Sequence, residues 1–177
     1  MVGGRRAVAG VLAVVVLAGL SGCTSAEVDP VLWRQMAAHR DPLNEVFRSV
    51  LGTDVAEFEQ RHAELIPGRW WDGESDPAEL EMDAGGLVYF GFQGGPTPSF
   101  GVLAHSGTRD AESDPFADPG GPYFGPEAVY TCQGVEFESA LDGTLAVYGV
   151  GELDCPADLV AELDGTAEFR PLTDFSG

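Results

Sequence analysis

The chain has 177 residues, 29 acids against nine arginines and no lysine, for a net charge of −20. That balance excludes a nucleic-acid binder, because no basic patch exists to release phosphate counterions. The missing lysine excludes a P-loop, a Ser-x-x-Lys nucleophile site and Schiff-base chemistry, each of which requires that side chain.

The first element is an export signal. Arg5 and Arg6 precede an uncharged apolar run of 14 residues, Ala7 to Leu20, and then the small residues Ser21 and Gly22. A positive start, a short apolar run and small residues before a cut form the secretory pattern. The run is shorter than the roughly 20 residues an ordinary spanning helix needs. Its end, Leu20-Ser21-Gly22-Cys23, resembles the lipobox of bacterial lipoproteins. That resemblance implies a diacylglyceryl group on Cys23, cleavage just before it, and residence on the extracytoplasmic face of the cell membrane. Two acyl chains hold a protein to a bilayer stably. The anchor therefore makes the membrane a partner, and no further spanning segment is needed. Arg5-Arg6 is followed by Ala-Val-Ala, not by a fuller twin-arginine consensus, so the general secretory route is expected.

Removing the signal, residues 1–22, leaves 155 residues with a charge of −22, since it carries two arginines and no acid. That is one ordinary domain, here 29–177, behind a tether at 23–28. Asp29-Pro30 and Asp41-Pro42 are helix starts, an N-cap followed by Pro at the first helical position. Helices are expected over Val31–His39, over the apolar series Leu43, Val46, Phe47, Val50, Leu51, and after Thr53 or Asp54 with Val55, Phe58, His62 and Leu65 on one face. Gly52 and Pro67-Gly68 are stops.

Short β-rich runs follow at Leu87–Phe92, Ser99–His105, Ala128–Thr131, Val135–Glu138 and Thr144–Val150. Turns are marked by Gly94-Gly95-Pro96 and by Asp142-Gly143. Asp154-Cys155-Pro156 opens a short helix bearing Leu159, Val160 and Leu163, and Thr166–Phe169 reads as a last strand. The class is α+β: N-terminal helices, an antiparallel sheet, then a small C-terminal helix.

Cys132 and Cys155 remain once Cys23 is lipidated. Outside the cytoplasm such a pair forms a disulfide. A bridge between them would tie the last helix to the sheet. A strand cysteine followed by a later Cys-Pro also resembles small envelope lipoproteins of GC-rich Gram-positive bacteria, a likeness that implies no activity.

No catalytic motif stands out. There is no His-Glu-x-x-His and no Gly-x-Ser-x-Gly elbow, and His39, His62 and His105 are motif-free. A Ser-His-Asp triad stays open, because its members need not be close in sequence. Trp70-Trp71, Tyr89-Phe90 and Tyr123-Phe124 fit either a core or a sugar-stacking surface.

One pattern recurs. Asp72-Gly-Glu74-Ser75-Asp76-Pro77 is echoed by Asp110-Ala-Glu112-Ser113-Asp114-Pro115, and each copy runs on to an acid, a Gly-Gly and a Tyr-Phe-Gly. If the copies were a true repeat at neighbouring strand ends, Asp72, Glu74, Asp76, Asp110, Glu112 and Asp114 could share a weakly bound calcium ion. Asp83 falls at the twelfth position of an EF-hand-like count, but Pro77 and Pro115 stand where that loop needs Gly. Two solvated acidic turns are the plainer reading. The expected role is a non-enzymatic scaffold or a module that binds an envelope protein, without a cofactor. Solute or cation binding through loops 72–83 and 110–118 is the alternative.

Overall fold

The computed structural model describes residues 28–112, 123–163 and 165–175. Its first helix, α1 (Pro30–Arg40), starts at Asp29, whose carboxylate accepts from the N–H groups of Val31 and Leu32. After α2 (Leu43–Ser49) the chain turns at Gly52, with φ at 87°. In α3 (Val55–Leu65), Asp54 accepts from Ala56 and Glu57 in the same way. Each cap satisfies N–H groups that a helix start leaves without intrahelical partners.

Six strands build one sheet: β1 (Arg69–Trp71), β2 (Gly86–Gln93), β3 (Ser99–His105), β4 (Ala128–Ser139), β5 (Leu145–Glu152) and β6 (Ala167–Phe169). Their order is β1-β2-β3-β4-β5, with β6 beside the N-terminal end of β4. The central pairs are antiparallel, while β1 on β2 and β6 on β4 are parallel. The fold is thus α+β as expected, with a sheet that is mostly antiparallel.

Three details differ from the sequence expectation. Asp41 closes α1 in a helical conformation instead of capping α2, which begins at Leu43 with no side-chain cap. The separate strands expected at 128–131 and 135–138 are one strand, because Cys132, Gln133 and Gly134 keep full register with Leu103, Val102 and Gly101 of β3. A polar residue and a glycine weaken a strand signal locally, but a neighbouring ladder overrides it. The strand β1 was not expected; at three residues it is too short to show a period, and its pairing with Val88–Phe90 defines it.

The helices lie on one face. There Phe47, Phe58 and Ile66 pack with Tyr89, Phe100, Val102, Val135 and Phe137. Rings meet at 5.9 Å for Phe47–Phe100 and 5.2 Å for Phe58–Phe137. Such aromatic pairs add roughly 0.5–1.5 kcal/mol each beyond the area they bury. At one end α1 extends this face, Leu32 and Met36 resting on Ala104 and Val129. Among the described residues the opposite face is covered by less. There Trp71, Val88, Phe90, Leu103 and Cys132 meet Leu159 of α4 (Ala157–Ala161) and Met82 of a 3-10 turn (Met82–Ala84). Gly85 and Gly107 face each other where that turn crosses the chain leaving β3. A Cβ on either would strike the other's backbone segment, and both have positive φ, 80° and 71°. Both sites therefore require glycine.

Candidate functional site

Cys132 and Cys155 are bonded, with Cα atoms 5.4 Å apart. Cys132 sits on the thinly covered face of β4 and Cys155 just before α4. A five-residue helix cannot hold its shape alone, because nucleation is costly. The bond and the burial of Leu159 beside it hold α4 on the sheet. Closing a loop of that length is worth about 3.4 kcal/mol in the chain-entropy model.

The two acidic loops leave opposite ends of the sheet. The first follows Trp71, which pairs with Phe90; the second follows His105, which pairs with Gly86. Along β2 those ends are roughly 13 Å apart. Asp72 accepts from the N–H groups of Ser75 and Glu74 and from the Ser75 hydroxyl, which hold its carboxyl down at about 2. Asp76 caps the 3-10 turn Pro77–Leu80 through Ala78 N–H. Glu74 is exposed. In the second loop the Asp110 N–H reaches Gln35 on α1, Glu112 is exposed, and Asp114 lies outside the described residues. The Tyr-Phe-Gly echoes part company too: Tyr89 and Phe90 are buried in β2, whereas Phe124 is 90% exposed in a loop. Among the described residues the two copies take different places in the fold, because strand pairing and not local composition decides where each goes. Among the described residues no three His, Cys, Asp or Glu side chains converge on a cation position.

The histidines are dispersed. His62 stacks flat on Phe92 at 3.8 Å and meets Trp70 edge-on at 4.7 Å. Trp70 in turn stacks on Tyr89, and the Trp71 indole N–H is donated to Ser75 O, so both tryptophans are integrated in the fold. Half-buried His39 has its pKa lowered by burial first and by Arg69 second. His105 is 2% exposed and borders a cavity of about 240 Å³ with Met82, Asp83 and Glu162. Its Nε2 has neither a hydrogen-bond partner nor solvent contact. Burial, then the charges of Arg69 and His39, push its pKa down to about 4. The neighbouring Ser106 hydroxyl donates to Gly107 O and accepts from Val129 N–H, which leaves it no proton to pass to a base.

One feature was missed by sequence reasoning. On the thinly covered face an open groove of about 590 Å³ crosses the strands beyond α4. Its floor is a row of paired positions, Phe90, Gly101, Gly134 and Gly151, with Gly149 beside it. Gly101 is required there, since a Cβ would collide with the Phe90 ring. Gly149 and Gly151 have open space where a side chain would stand. The groove runs out to β5, whose outer side pairs with no other described strand. The signal in the sequence was the alternation of Gly149 and Gly151 within a strand that has no charge before Glu152.

Val28, the first described residue, is buried with Leu32, Met36 and Phe175. Asp29 also pairs with Arg109 at 3.0 Å, and the Arg109 guanidinium lies 4.1 Å from the Tyr123 ring centre. Burial would raise the Asp29 carboxyl, but the Arg109 bond and the Leu32 and Val31 N–H groups hold it below the usual range. Cys23 lies outside the described residues, and among those residues no helix is long and apolar enough to cross a membrane. The chain matches no protein-family model, no curated protein and no solved structure.

Proposed function

We propose that this protein is an exported, lipid-anchored module on the extracytoplasmic face of the cell membrane. It presents a sheet edge to a protein partner and performs no chemistry of its own. The observation that carries the binding role is the outer side of β5, which Gly52 and Thr53 occupy only at Leu145, beside a glycine-floored groove. An open edge is a row of unused backbone donors and acceptors, and partners exploit it by adding a strand.

The anchor comes from Leu20-Ser21-Gly22-Cys23, and the geometry of the domain supports the two roles together. From Cys23 to Val28 there are five Cα-to-Cα steps, which reach at most roughly 18 Å. The entry point is therefore held close to the bilayer. Val28 packs by Ala104 and Val129, at the N-terminal end of β4. The part of β4 that pairs with β5, Gln133–Ser139, lies roughly 14 to 34 Å farther along the strand from Val129. Anchor and edge sit at opposite ends, so the edge faces away from the lipid.

Two measurements test this. Cys23→Ala should give an unprocessed or mislocalised precursor, and a lipoprotein-peptidase inhibitor should make the unchanged chain accumulate at precursor size. Normal processing of Cys23→Ala at the same site would end the anchoring reading. A photo-crosslinking residue at Val147 should yield one discrete adduct in intact cells, absent when it is placed at Arg61 on α3. Identical adduct patterns from both positions would end the binding reading.

A further inference from the structure

We infer that the partner segment taken by β5 is an extended, positively charged stretch of polypeptide; this rests on the binding reading above and names the chemistry of its occupant. Natural sheets guard their edges with lysine, proline or strong bulges. Residues 145–152 contain no Lys, Arg or Pro, and the only register shift lies at the Glu138/Ser139 end. The strand also shows apolar surface: Val147 is 48% and Val150 42% exposed, with Leu153 at 40% just beyond.

Charge selects the occupant. Gly149 lies opposite Glu136, and Val147 opposite Glu138. Side chains alternate along a strand, so Gly134, Glu136 and Glu138 share the groove face, while Val135 and Phe137 point to the helices. Both glutamates are exposed, and neither has an ion-pair partner among the described residues. A strand added to β5 would lie two spacings, roughly 10 Å, from β4. No described residue stands within 4 Å of where a Cβ at Gly149 would be, so an extended arginine on the added strand can pass over β5 and meet Glu136. Its fork matches a carboxylate in two parallel hydrogen bonds. Any side chain at position 149 would block that path. A second copy of this chain is a poor occupant, because its net charge of −20 and its own Glu136 and Glu138 would face the same acids.

The test uses the exported full chain and two short synthetic probes, an alternating Val-Arg peptide and its Val-Glu counterpart, followed by fluorescence anisotropy. Saturable binding of the Val-Arg probe alone is expected, with loss when its alternate backbone nitrogens are methylated. Glu136→Gln with Glu138→Gln should weaken binding about tenfold, and Glu79→Gln with Glu81→Gln, equal in charge but beside β1 at the other side of the sheet, by less than about twofold. Gly149→Val, at a position with open space, should weaken binding similarly without lowering the melting temperature. Equal loss in both acid pairs, or retained binding by the methylated probe, would reduce the effect to general attraction of cations and overturn the inference. A dimer seen by sedimentation and abolished by Gly149→Val would replace it with self-association. Failure of the Val-Arg probe while the Val147 crosslink persists would remove the basic segment and leave the binding reading intact.

Discussion

The two faces of the sheet are stabilised by different means. The helix-covered face is filled by aromatic side chains in mutual contact, Phe47, Phe58, Phe100 and Phe137, and contains no covalent link. The other face is covered by a five-residue helix and short 3-10 turns, and it contains the disulfide. Long amphipathic helices bury enough apolar area to secure themselves, whereas a single turn of helix does not. A covalent bond supplies what area cannot, and among the described residues the thin cover leaves the groove open.

This contrast can be broken from either side. The largest effect is expected on the aromatic face: Phe137→Ala removes a fully buried ring that touches Phe47, Phe58, Phe100 and Tyr148. It should cost about 3–5 kcal/mol, read from urea unfolding. A loss under about 1 kcal/mol would mean that this face is not the main core.

Removing the disulfide by Cys132→Ala with Cys155→Ala should cost about 3.4 kcal/mol. The loss should be uneven. Hydrogen exchange in 157–161 should accelerate more than in α3, because α4 depends on the bond and α3 does not. Equal acceleration in both helices would show that the two faces unfold as one unit.

The smallest of the three effects is set by pH. Folded His105 resists protonation down to about 4, while the unfolded side chain titrates near 6.5. Above pH 6.5 both states are neutral and His105 has no influence. Below it the unfolded chain takes up a proton that the folded chain refuses, so stability falls as pH falls. At about 1.4 kcal/mol per pH unit, the loss reaches up to about 3 kcal/mol near pH 4. His105→Gln should flatten the profile between pH 6.5 and 4 relative to the unchanged protein. Parallel profiles would show that His105 is not held neutral in the fold.

The N-terminal helices were legible because their signals are local. Asp29-Pro30 and Asp54 are caps that act within three residues, and the 3,4 spacing of Leu43, Val46, Phe47 and Val50 needs no knowledge of what it packs against. The Asp142-Gly143 turn was legible for the same reason: Thr144 bonds back to Asp142, and Gly143 takes a φ of 84° that suits glycine. The three residues of β1 and the continuity of β4 through Gly134 were not, since each depends on a partner strand far away in sequence. The acidic echo of 72–77 in 110–115 could not tell where either loop goes, because like composition does not fix like neighbours.

By itself, then, the sequence determined the α+β class, the starts of α1 and α3 and the cysteine pair, together with an expectation of export and lipid attachment at Cys23. All of these rest on contacts within a few residues, on composition or on simple counting. Only the tertiary structure decided which ends of the sheet the acidic loops occupy, which face stays thinly covered, and that Gly101, Gly134 and Gly151 line up across three strands. Those outcomes follow from strand order and register, where residues 17 and 33 positions apart become neighbours. A register is fixed by the burial of one whole face against the helices, and no local stretch of the chain contains that information.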